Sequence, residues 1–358
     1  MRQSYAWGAT VTIEELRAKV GEWDLCGDHK SSVATAKYSF ILNQLEHHAA
    51  KDWKVYLPAE HPDFSSDYLV RLARWIGSLN NENDQKLLLE YATYISFFCH
   101  DDFTALYQTA FNREVMRWVA QQMGTSLSAG GANNFNDAVQ QEVHNKTWFC
   151  PITDSMDINE FCKVNHLKGI SHRPSFAPLQ ALAEDAGNPD TQLLINLQRY
   201  MVHPSDSHPS LERLVLLEDI VGSSDQCIAT VRWAIQSLGK PVLFIPLILC
   251  PNGVTALRAE ERNSGGRLAV CPVVELNQGD LLGPGRQRHD GWPISGDMEA
   301  LANRCSHDKL LGLNPFGYRT TGCSIATFAN TPDNTLPLVH HKPSNGAWEP
   351  LFPRVHRD

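Results

Sequence analysis

The residues best suited to chemistry form one short segment in the second half of the chain. Four apolar residues lead to two adjacent carboxylates, Glu218 and Asp219, and a small polar loop then enters a predicted helix. The loop residues are Gly222, Ser223, Ser224, Asp225 and Gln226. A helix N-terminus presents unpaired N–H groups and the positive end of the helix dipole, which suit a phosphate. Adjacent carboxylates can accept hydrogen bonds from ribose hydroxyls or hold Mg²⁺, which binds few protein carboxylates and keeps several waters. The segment therefore predicts a site for a pentose ring that carries a 5′-phosphate.

The elements that must position this segment are short apolar runs separated by predicted helices. Strands are predicted over residues 148–152, 214–217, 242–250, 268–275 and 324–328. Helices are predicted between them over residues 154–164 and 224–238. Buried runs that alternate with helices are typical of a mostly parallel sheet covered on both faces. Ligands bind such sheets beyond the carboxyl ends of the strands, so we expect Asp154 and the acidic pair to share one edge.

The first 125 residues have a different pattern, since apolar residues recur there at three- and four-residue spacing. This periodicity predicts helices over residues 12–22, 32–50, 84–99 and 101–123, with another that begins near Ser66. The small, polar, Gly-rich stretch that follows favours a domain boundary. The predicted organisation is a helical N-terminal region over residues 1–125, a linker over 126–146 and an α/β domain over 147–358.

The order of hydrophobic strand, acidic pair and short loop resembles the signature of type I phosphoribosyltransferases. The resemblance implies an α/β fold of that kind, preceded here by the helical region. It also implies that Glu218 and Asp219 form the catalytic, ribose-binding pair that holds Mg²⁺, and that residues 222–226 bind the substrate phosphate. Asp154 and Ser155 stand where this enzyme class places its pyrophosphate-binding loop, although either residue could equally cap the helix that follows.

The phosphate loop departs from the pattern of those enzymes at two positions. Ser224 stands where glycine is expected, and Asp225 brings a negative charge into a loop that is usually small and uncharged. A carboxylate close to a phosphate repels it, so affinity for a 5′-phosphate should fall if Asp225 faces the ligand. The alternative is that Asp225 belongs to the first turn of the next helix, where acidic residues are favourable.

A second resemblance lies in the C-terminal segment. Residues 327–337, TFANTPDNTLP, and residues 348–354 resemble the closing segment of one phosphoribosyltransferase-like family that bacterial anti-phage systems encode. Some of its members accompany retron reverse transcriptases, and its members also carry a helical region before the sheet, so the resemblance spans about residues 64–354. Asn330, Thr331 and Asn334 are turn formers that could also line the ligand cleft, and the sequence leaves both roles open.

Composition argues against several other classes of protein. The chain has 358 residues and a net charge of −9, which disfavours broad sequence-independent binding of nucleic acid. Its longest apolar run, residues 242–250, contains a proline and is much shorter than the ~20 residues of a bilayer span. The start has no apolar signal-peptide core, and the nine cysteines form no CxxC pairs. We therefore expect a soluble cytoplasmic protein without a disulfide framework.

Three functions remain open from the sequence. The first is an effector of an anti-phage system that uses phosphoribosyl pyrophosphate (PRPP) or a nucleotide, which as an enzyme would be a phosphoribosyltransferase of the glycosyltransferase class. The second is a non-catalytic sensor that retains the fold to bind a nucleotide. The third is a scaffold whose helical region binds a defence partner protein, such as a retron reverse transcriptase complex. A nucleophile motif such as GxSxG is absent, which is consistent with phosphoribosyl transfer because that reaction needs no covalent nucleophile.

Overall fold

The structure, a computed structural model, describes residues 11–25, 36–124, 131–167, 212–284 and 293–355. Two compact units are distinguished by their internal contacts. The first unit comprises Met1–His100 and Asn277–Asp358, and the second unit comprises Asp101–Leu276. The first unit is therefore built from two separate stretches of chain, whereas the second is continuous. Within the described ranges, no helix is long and apolar enough to cross a membrane.

The helices and strands of the described residues are numbered in chain order. The helices are α1 (Ile13–Leu25), α2 (Lys37–Ala50), α3 (Tyr68–Gly77), α4 (Glu82–Ala92), α5 (His100–Thr109), α6 (Met116–Gln122), α7 (Gly131–Lys146), α8 (Ile158–Val164), α9 (Asp225–Leu238), α10 (Pro251–Asn263), α11 (Ser295–Asp308) and α12 (Pro337–His340). The strands are β1 (Ser96–Phe98), β2 (Thr147–Pro151), β3 (Arg213–Val221), β4 (Val242–Leu249), β5 (Leu268–Val270), β6 (Val274–Glu275) and β7 (Ile325–Thr327). A π-helical segment, Ala110–Val115, joins α5 to α6.

A parallel sheet forms the centre of the second unit. Its order is β2-β3-β4-β5, and β6 also pairs with β4. All eight residues of β4 are buried, because a strand covered on both faces needs apolar side chains on both faces. α9 and α10 contribute Val231, Ala234 and Leu257 to the apolar core on one side of the sheet. This packing fixes β3 between two neighbouring strands.

The core of the first unit joins its two stretches of chain. Trp75 of α3 and Trp348 are both buried, and each donates its indole N–H to the carbonyl oxygen of Leu338, at 2.7 and 2.8 Å. The buried Arg71 donates through Nε to the carbonyl oxygen of Leu351 at 2.9 Å. Because buried polar groups need partners, these hydrogen bonds fix the C-terminal segment against the N-terminal helices of this unit.

The predicted parallel α/β sheet is confirmed, with three differences in its elements. The run at 268–275 is divided into β5 and β6. The predicted strand at 324–328 exists as β7, but it pairs with β1 in a separate two-stranded sheet. The predicted helix over residues 84–99 ends at Ala92, because Ser96–Phe98 form β1 instead. Pairing with a strand more than 200 residues later in the chain is not visible in local periodicity.

The division of the chain also differs from the predicted one. Of the expected linker at 126–146, residues 131–146 form helix α7 of the second unit, while residues 126–130 lie outside the described ranges. α5 and α6 belong to the second unit, and the stretch Asn277–Asp358 belongs to the first. Packing between distant stretches of chain decides this division, whereas sequence composition indicates only local boundaries.

Candidate functional site

The acidic pair lies within β3 rather than beyond its end. β3 continues to Val221, and Glu218 is paired in register with Pro246 of β4. On the other side, β2 ends at Pro151, opposite Leu217. The segment after β2 therefore leaves the sheet at the level of Leu217, one residue before the acidic pair. This segment contacts the acidic pair.

Glu218 is held by the segment that follows β2. Its side chain is buried, with a 3% exposed fraction. Oε2 accepts a hydrogen bond from the backbone N–H of Thr153 at 3.0 Å, and Oε1 accepts one from the Thr153 hydroxyl at 2.5 Å. Burial and, secondly, the negative charge of Asp219 raise the pKa of Glu218 well above its usual range, although the hydrogen bonds from Thr153 oppose this shift. The proton-bound form of Glu218 is therefore favoured.

Asp219 has a different environment, since it is half-buried. Its Oδ1 accepts hydrogen bonds from the Ser155 hydroxyl at 2.8 Å and from the backbone N–H of Ile220 at 2.7 Å. The Ser155 hydroxyl also lies 3.4 Å from Oε1 of Glu218. Successive side chains of a strand point to opposite faces, yet both carboxylates contact this one hydroxyl. Ser155 thus connects the predicted pyrophosphate segment with the acidic pair.

The predicted phosphate loop connects β3 to α9. Ser224 is the residue before α9 and has a left-handed backbone, with φ of 68°. Its carbonyl oxygen accepts the first hydrogen bonds of the helix, from the N–H groups of Cys227 and Ile228. Asp225 and Gln226 are exposed in the first turn of α9. Asp225 thus lies in the first turn of the helix, as the alternative expected, and its effect on phosphate binding stays a prediction.

Close packing and burial define the inner side of this loop. A Cβ atom added to Gly253 of α10 would lie 3.0 Å from the carbonyl oxygen of Gly222, so the two chains approach closely. Cys227 is buried, and burial followed by the charges of Glu218 and Asp219 raises the pKa of its thiol. A protonated thiol is a poor nucleophile. Cys227 therefore packs beside the acidic pair as an unreactive side chain.

The cap of α8 is neither Asp154 nor Ser155, and the role of Thr153 was not predicted. Asp154 is exposed, and Ser155 contacts the acidic pair, so neither caps the helix. The cap is Asp157, whose Oδ1 accepts from the N–H of Glu160 at 3.0 Å. An aspartate three residues before a glutamate was the available signal for this cap. The role of Thr153 had no such signal, because it depends on where β2 ends relative to β3.

The residues predicted as turn formers or cleft residues are in the first unit and form hydrogen bonds within it. Asn330 Nδ2 donates to the carbonyl oxygen of Val355 at 2.8 Å. The Thr331 hydroxyl donates to the carbonyl oxygen of Phe352 at 3.1 Å. Asn334 Nδ2 donates to the Thr321 hydroxyl at 3.1 Å. These contacts give all three residues a structural role, and their role in a ligand cleft stays a prediction.

The two carboxylates fit a magnesium ion unequally. Among the described residues, no group of three or more Cys, His, Asp or Glu side chains could hold a metal ion. Mg²⁺ binds through as few as one or two carboxylates plus substrate phosphates and waters, so a smaller site suffices. Both carboxylate oxygens of Glu218 already accept hydrogen bonds, and its raised pKa favours a proton over a cation. Asp219, which is half-buried, is the better fit.

Comparison with known proteins identifies one family. The family model described as PRTase-CE matches residues 72–354, which is more than half of the chain. The matched region includes the acidic pair, the loop before α9 and the C-terminal segment to Arg354. No curated protein and no solved structure matches the chain.

Proposed function

Because the chain belongs to the PRTase-CE family, which is phosphoribosyltransferase-like, we propose that it binds PRPP or a nucleotide through Asp219 and residues 222–226. The observation that carries the proposal is the hydrogen bond from the Ser155 hydroxyl to Asp219 Oδ1 at 2.8 Å. It joins the segment expected to meet the pyrophosphate to the carboxylate expected to meet the ribose. A ligand that carries both groups would contact both parts of the site.

The two carboxylates have different roles in this proposal. Asp219 accepts hydrogen bonds from the ribose hydroxyls and lies near the carbon that becomes positively charged as pyrophosphate leaves. Glu218 positions the segment after β2, because it binds both the N–H and the hydroxyl of Thr153. The loop of residues 222–226 binds the 5′-phosphate at the N-terminus of α9.

Mg²⁺ is the cofactor we propose, held by Asp219 together with oxygen atoms of the ligand. When bound, it neutralises negative charge on the pyrophosphate leaving group. The chain's own contribution is to orient the ligand and to place the Asp219 carboxylate, through the hydrogen bonds from Ser155 and the backbone N–H of Ile220. Asp225 adds a negative charge to the first turn of α9, which should weaken phosphate binding without abolishing it.

We further propose that the protein acts in a bacterial anti-phage system as an effector that consumes PRPP or a nucleotide. The support is the resemblance of residues 327–337 and 348–354 to a family encoded in such systems. A defence partner protein, such as a retron reverse transcriptase complex, is the partner that this resemblance implies.

A non-catalytic nucleotide sensor, or a scaffold for the partner protein, is the second candidate. One observation favours it: Glu218 is buried and its pKa is raised, so one of the two expected catalytic carboxylates is held away from a charged, exposed state. A site in which Glu218 is buried and only Asp219 of the pair meets the ligand could bind a ribose phosphate without efficient transfer.

The experiment that tests ligand binding is thermal unfolding with and without PRPP and Mg²⁺. A ligand at 100 times its dissociation constant stabilises the folded state by about 2.7 kcal/mol, which raises Tm by several degrees. We expect Asp219→Asn to abolish the shift, whereas Asp137→Asn, at an exposed position of α7, should retain it. Equal shifts in all three proteins, or no shift with PRPP or nucleotides, would contradict the proposal.

Product analysis separates the enzyme from the sensor. Phosphorus NMR of PRPP incubated with the protein, Mg²⁺ and an enzyme-free filtrate of a cell extract that supplies small-molecule acceptors should show pyrophosphate release if the protein is an enzyme, and Asp219→Asn should abolish it. Stabilisation by PRPP without pyrophosphate release, in the presence of the same filtrate, would support the sensor instead.

A further inference from the structure

The first unit contains a cavity that the proposed phosphoribosyl site does not use. Its volume is about 880 Å³, within the ~300–1,000 Å³ range of small-molecule sites. Among the described residues, those that line the cavity belong to the first unit, whereas Glu218 and Asp219 belong to the second. The residues that line this cavity are therefore not those of the proposed phosphoribosyl site.

The lining combines cations with aromatic rings. Arg319, Lys342 and Arg354 supply positive charge in a chain whose net charge is −9. The Arg319 guanidinium carbon lies 5.7 Å from the centroid of the Tyr318 ring, and Lys342 Nζ lies 5.3 Å from the centroid of the Phe64 ring. Cations bind phosphate, while aromatic rings and guanidinium planes stack on nucleobases.

Arg354 keeps donor capacity for an anion. Its Nη1 donates to the carbonyl oxygen of Thr331 at 2.9 Å, and its Nε is buried without a hydrogen-bond partner among the described residues, so an anion would meet the remaining N–H groups of Nη1 and Nη2. Nη2 lies 3.9 Å from Oδ2 of Asp333, which is too far for a hydrogen bond. Asp333 also lines the cavity, and its carboxylate can accept hydrogen bonds from ribose hydroxyls or an exocyclic amine. Inorganic phosphate alone would need no such acceptor, so Asp333 favours a ligand that also carries a sugar or a base.

The loop that carries Tyr318 and Arg319 is held in a strained conformation. Arg319 and Thr320 are consecutive non-glycine residues with positive φ, 53° and 56°, a conformation that costs about 1–2 kcal/mol per residue. Strain of this kind persists only where surrounding contacts impose it, and it concentrates at functional sites. Here the surrounding contacts come from the C-terminal motif of residues 327–337.

That motif packs directly beneath the strained loop. A Cβ on Gly317 would lie 2.6–2.8 Å from the carbonyl oxygens of residues 333–335, so only glycine fits this approach. The N–H of Tyr318 donates to the carbonyl oxygen of Asp333 at 2.8 Å. Asn334 donates to the Thr321 hydroxyl, which in turn donates to the carbonyl oxygen of Tyr318 at 2.6 Å. The motif thus fixes the position of the loop that presents one ring and one cation to the cavity.

We propose that this cavity of the first unit binds a mononucleotide, with the base against Tyr318 and the phosphate at Arg319 and Arg354. This inference goes beyond the proposed phosphoribosyl site and does not depend on it. It assigns to the segment around Asp333 and Asn334 the task of building a second ligand site.

The test is isothermal titration calorimetry of the full chain with AMP. We expect binding that Arg319→Gln weakens at least about tenfold, the usual effect of losing a hydrogen bond to a charged group. Tyr318→Leu should weaken it as well. Tyr318 and Arg319 are both exposed, so these variants should fold. Arg304→Gln is the matched control, because Arg304 is an exposed arginine of the same unit that pairs with Asp84 outside the cavity.

Further measurements distinguish the cavity from the proposed phosphoribosyl site. Asp219→Asn removes binding at the proposed phosphoribosyl site, so AMP that still binds this variant, and whose binding Arg319→Gln weakens in the same background, reports the cavity. Loss of AMP binding in Asp219→Asn but not in Arg319→Gln would overturn the cavity proposal. It would also be overturned if millimolar AMP produced no binding, or if inorganic phosphate or adenosine alone bound as tightly as AMP. Failure of PRPP to stabilise the protein would leave the AMP result intact, so the two proposals fail independently.

Discussion

At the scale of single residues, the two adjacent carboxylates of β3 differ in burial and in hydrogen-bond partners. Glu218 is buried beneath the segment after β2 and accepts hydrogen bonds from Thr153, whereas Asp219 is half-buried. A buried carboxyl with a raised pKa and a half-buried carboxyl beside it can perform different tasks. Here Glu218 holds the segment after β2, and Asp219 is the carboxylate that we propose meets the ligand.

The raised pKa of Glu218 should make folding stability depend on pH. Its pKa is raised above the usual value of 4.5 in the folded protein, so folding favours the protonated form. The stability from this carboxyl is fully present below about pH 4.5 and is lost as the pH rises through the folded pKa. Glu218→Gln, which is neutral at every pH, should reduce this decline in the free energy of unfolding.

Urea denaturation at a series of pH values between 5 and 9 would measure this effect. Glu275→Gln serves as the control, because Glu275 is an exposed glutamate of the same unit. Parallel pH profiles for the natural chain and Glu218→Gln would show that Glu218 does not carry the dependence.

Ser224 should be a position where glycine stabilises the protein. Its φ of 68° is left-handed, which costs a non-glycine residue about 1–2 kcal/mol, and the serine hydroxyl regains part of this through its hydrogen bond to the carbonyl oxygen of Ser223. We expect Ser224→Gly to raise the free energy of unfolding by about 0.5–1 kcal/mol. Ser224→Ala keeps the strain but loses the hydroxyl, so it should destabilise, and chemical denaturation of both variants isolates the backbone effect. A glycine variant no more stable than the alanine variant would contradict this explanation.

At the scale of elements, the short helix α8 determines how the segment after β2 leaves the sheet. Asp157 caps the helix, so Asp157→Ala should cost about 1 kcal/mol. The same change should loosen Ser155, two residues earlier, and weaken PRPP binding. Asp154→Ala changes an exposed aspartate that is not the cap, so it should have a smaller effect on stability. Equal losses of Tm in the two variants would show that loss of the helix cap does not cause the destabilisation.

The strands of the parallel sheet were predictable because burial on both faces requires unbroken apolar runs. Residues 214–217 and 242–250 have this property; residues 214–217 lie in β3, and residues 242–249 of the second run form β4. The full length of β3 was not predictable, since Glu218 and Asp219 are polar and remain in the strand only because Thr153 and Ser155 supply donors. Those donors come from a segment about 65 residues earlier in the chain.

β1 is a second element whose structure the local sequence does not predict. Ile95 and Phe98 continue the spacing of helix α4, so local periodicity favours a helix there. The backbone instead pairs with β7, with Phe97 in register with Ala326. A three-residue strand has too little sequence to signal itself, and its partner is distant in the chain. The acidic pair, in contrast, was predictable because its residue types and spacing are local.

At the scale of the whole molecule, the first unit depends on the C-terminal residues for its core. Phe352 is fully buried, its ring centroid lies 5.4 Å from those of Tyr56 and Phe97, and the Tyr56 hydroxyl donates to the carbonyl oxygen of Pro353 at 2.5 Å. Phe352→Ala should therefore cost about 3–5 kcal/mol.

Hydrogen exchange can locate this loss. We expect amides of α3 and α4 to lose protection in Phe352→Ala, while those of β3 and β4 in the second unit retain it, because stability varies between cooperative units. Phe149→Ala, which removes a fully buried ring of β2, should produce the opposite pattern. Equal loss of protection in both units for either variant would show that they unfold together.

The discontinuous first unit also has a consequence for synthesis on the ribosome. Its helices α1–α4 are made early, but their core contains Trp348 and Phe352, which are translated about 250 residues later. At about 5–20 residues per second, the apolar faces of these helices wait tens of seconds for their partners. The continuous second unit is complete in sequence during that interval and can fold first. The N-terminal helices are therefore the part of the nascent chain with the greatest need of chaperone protection.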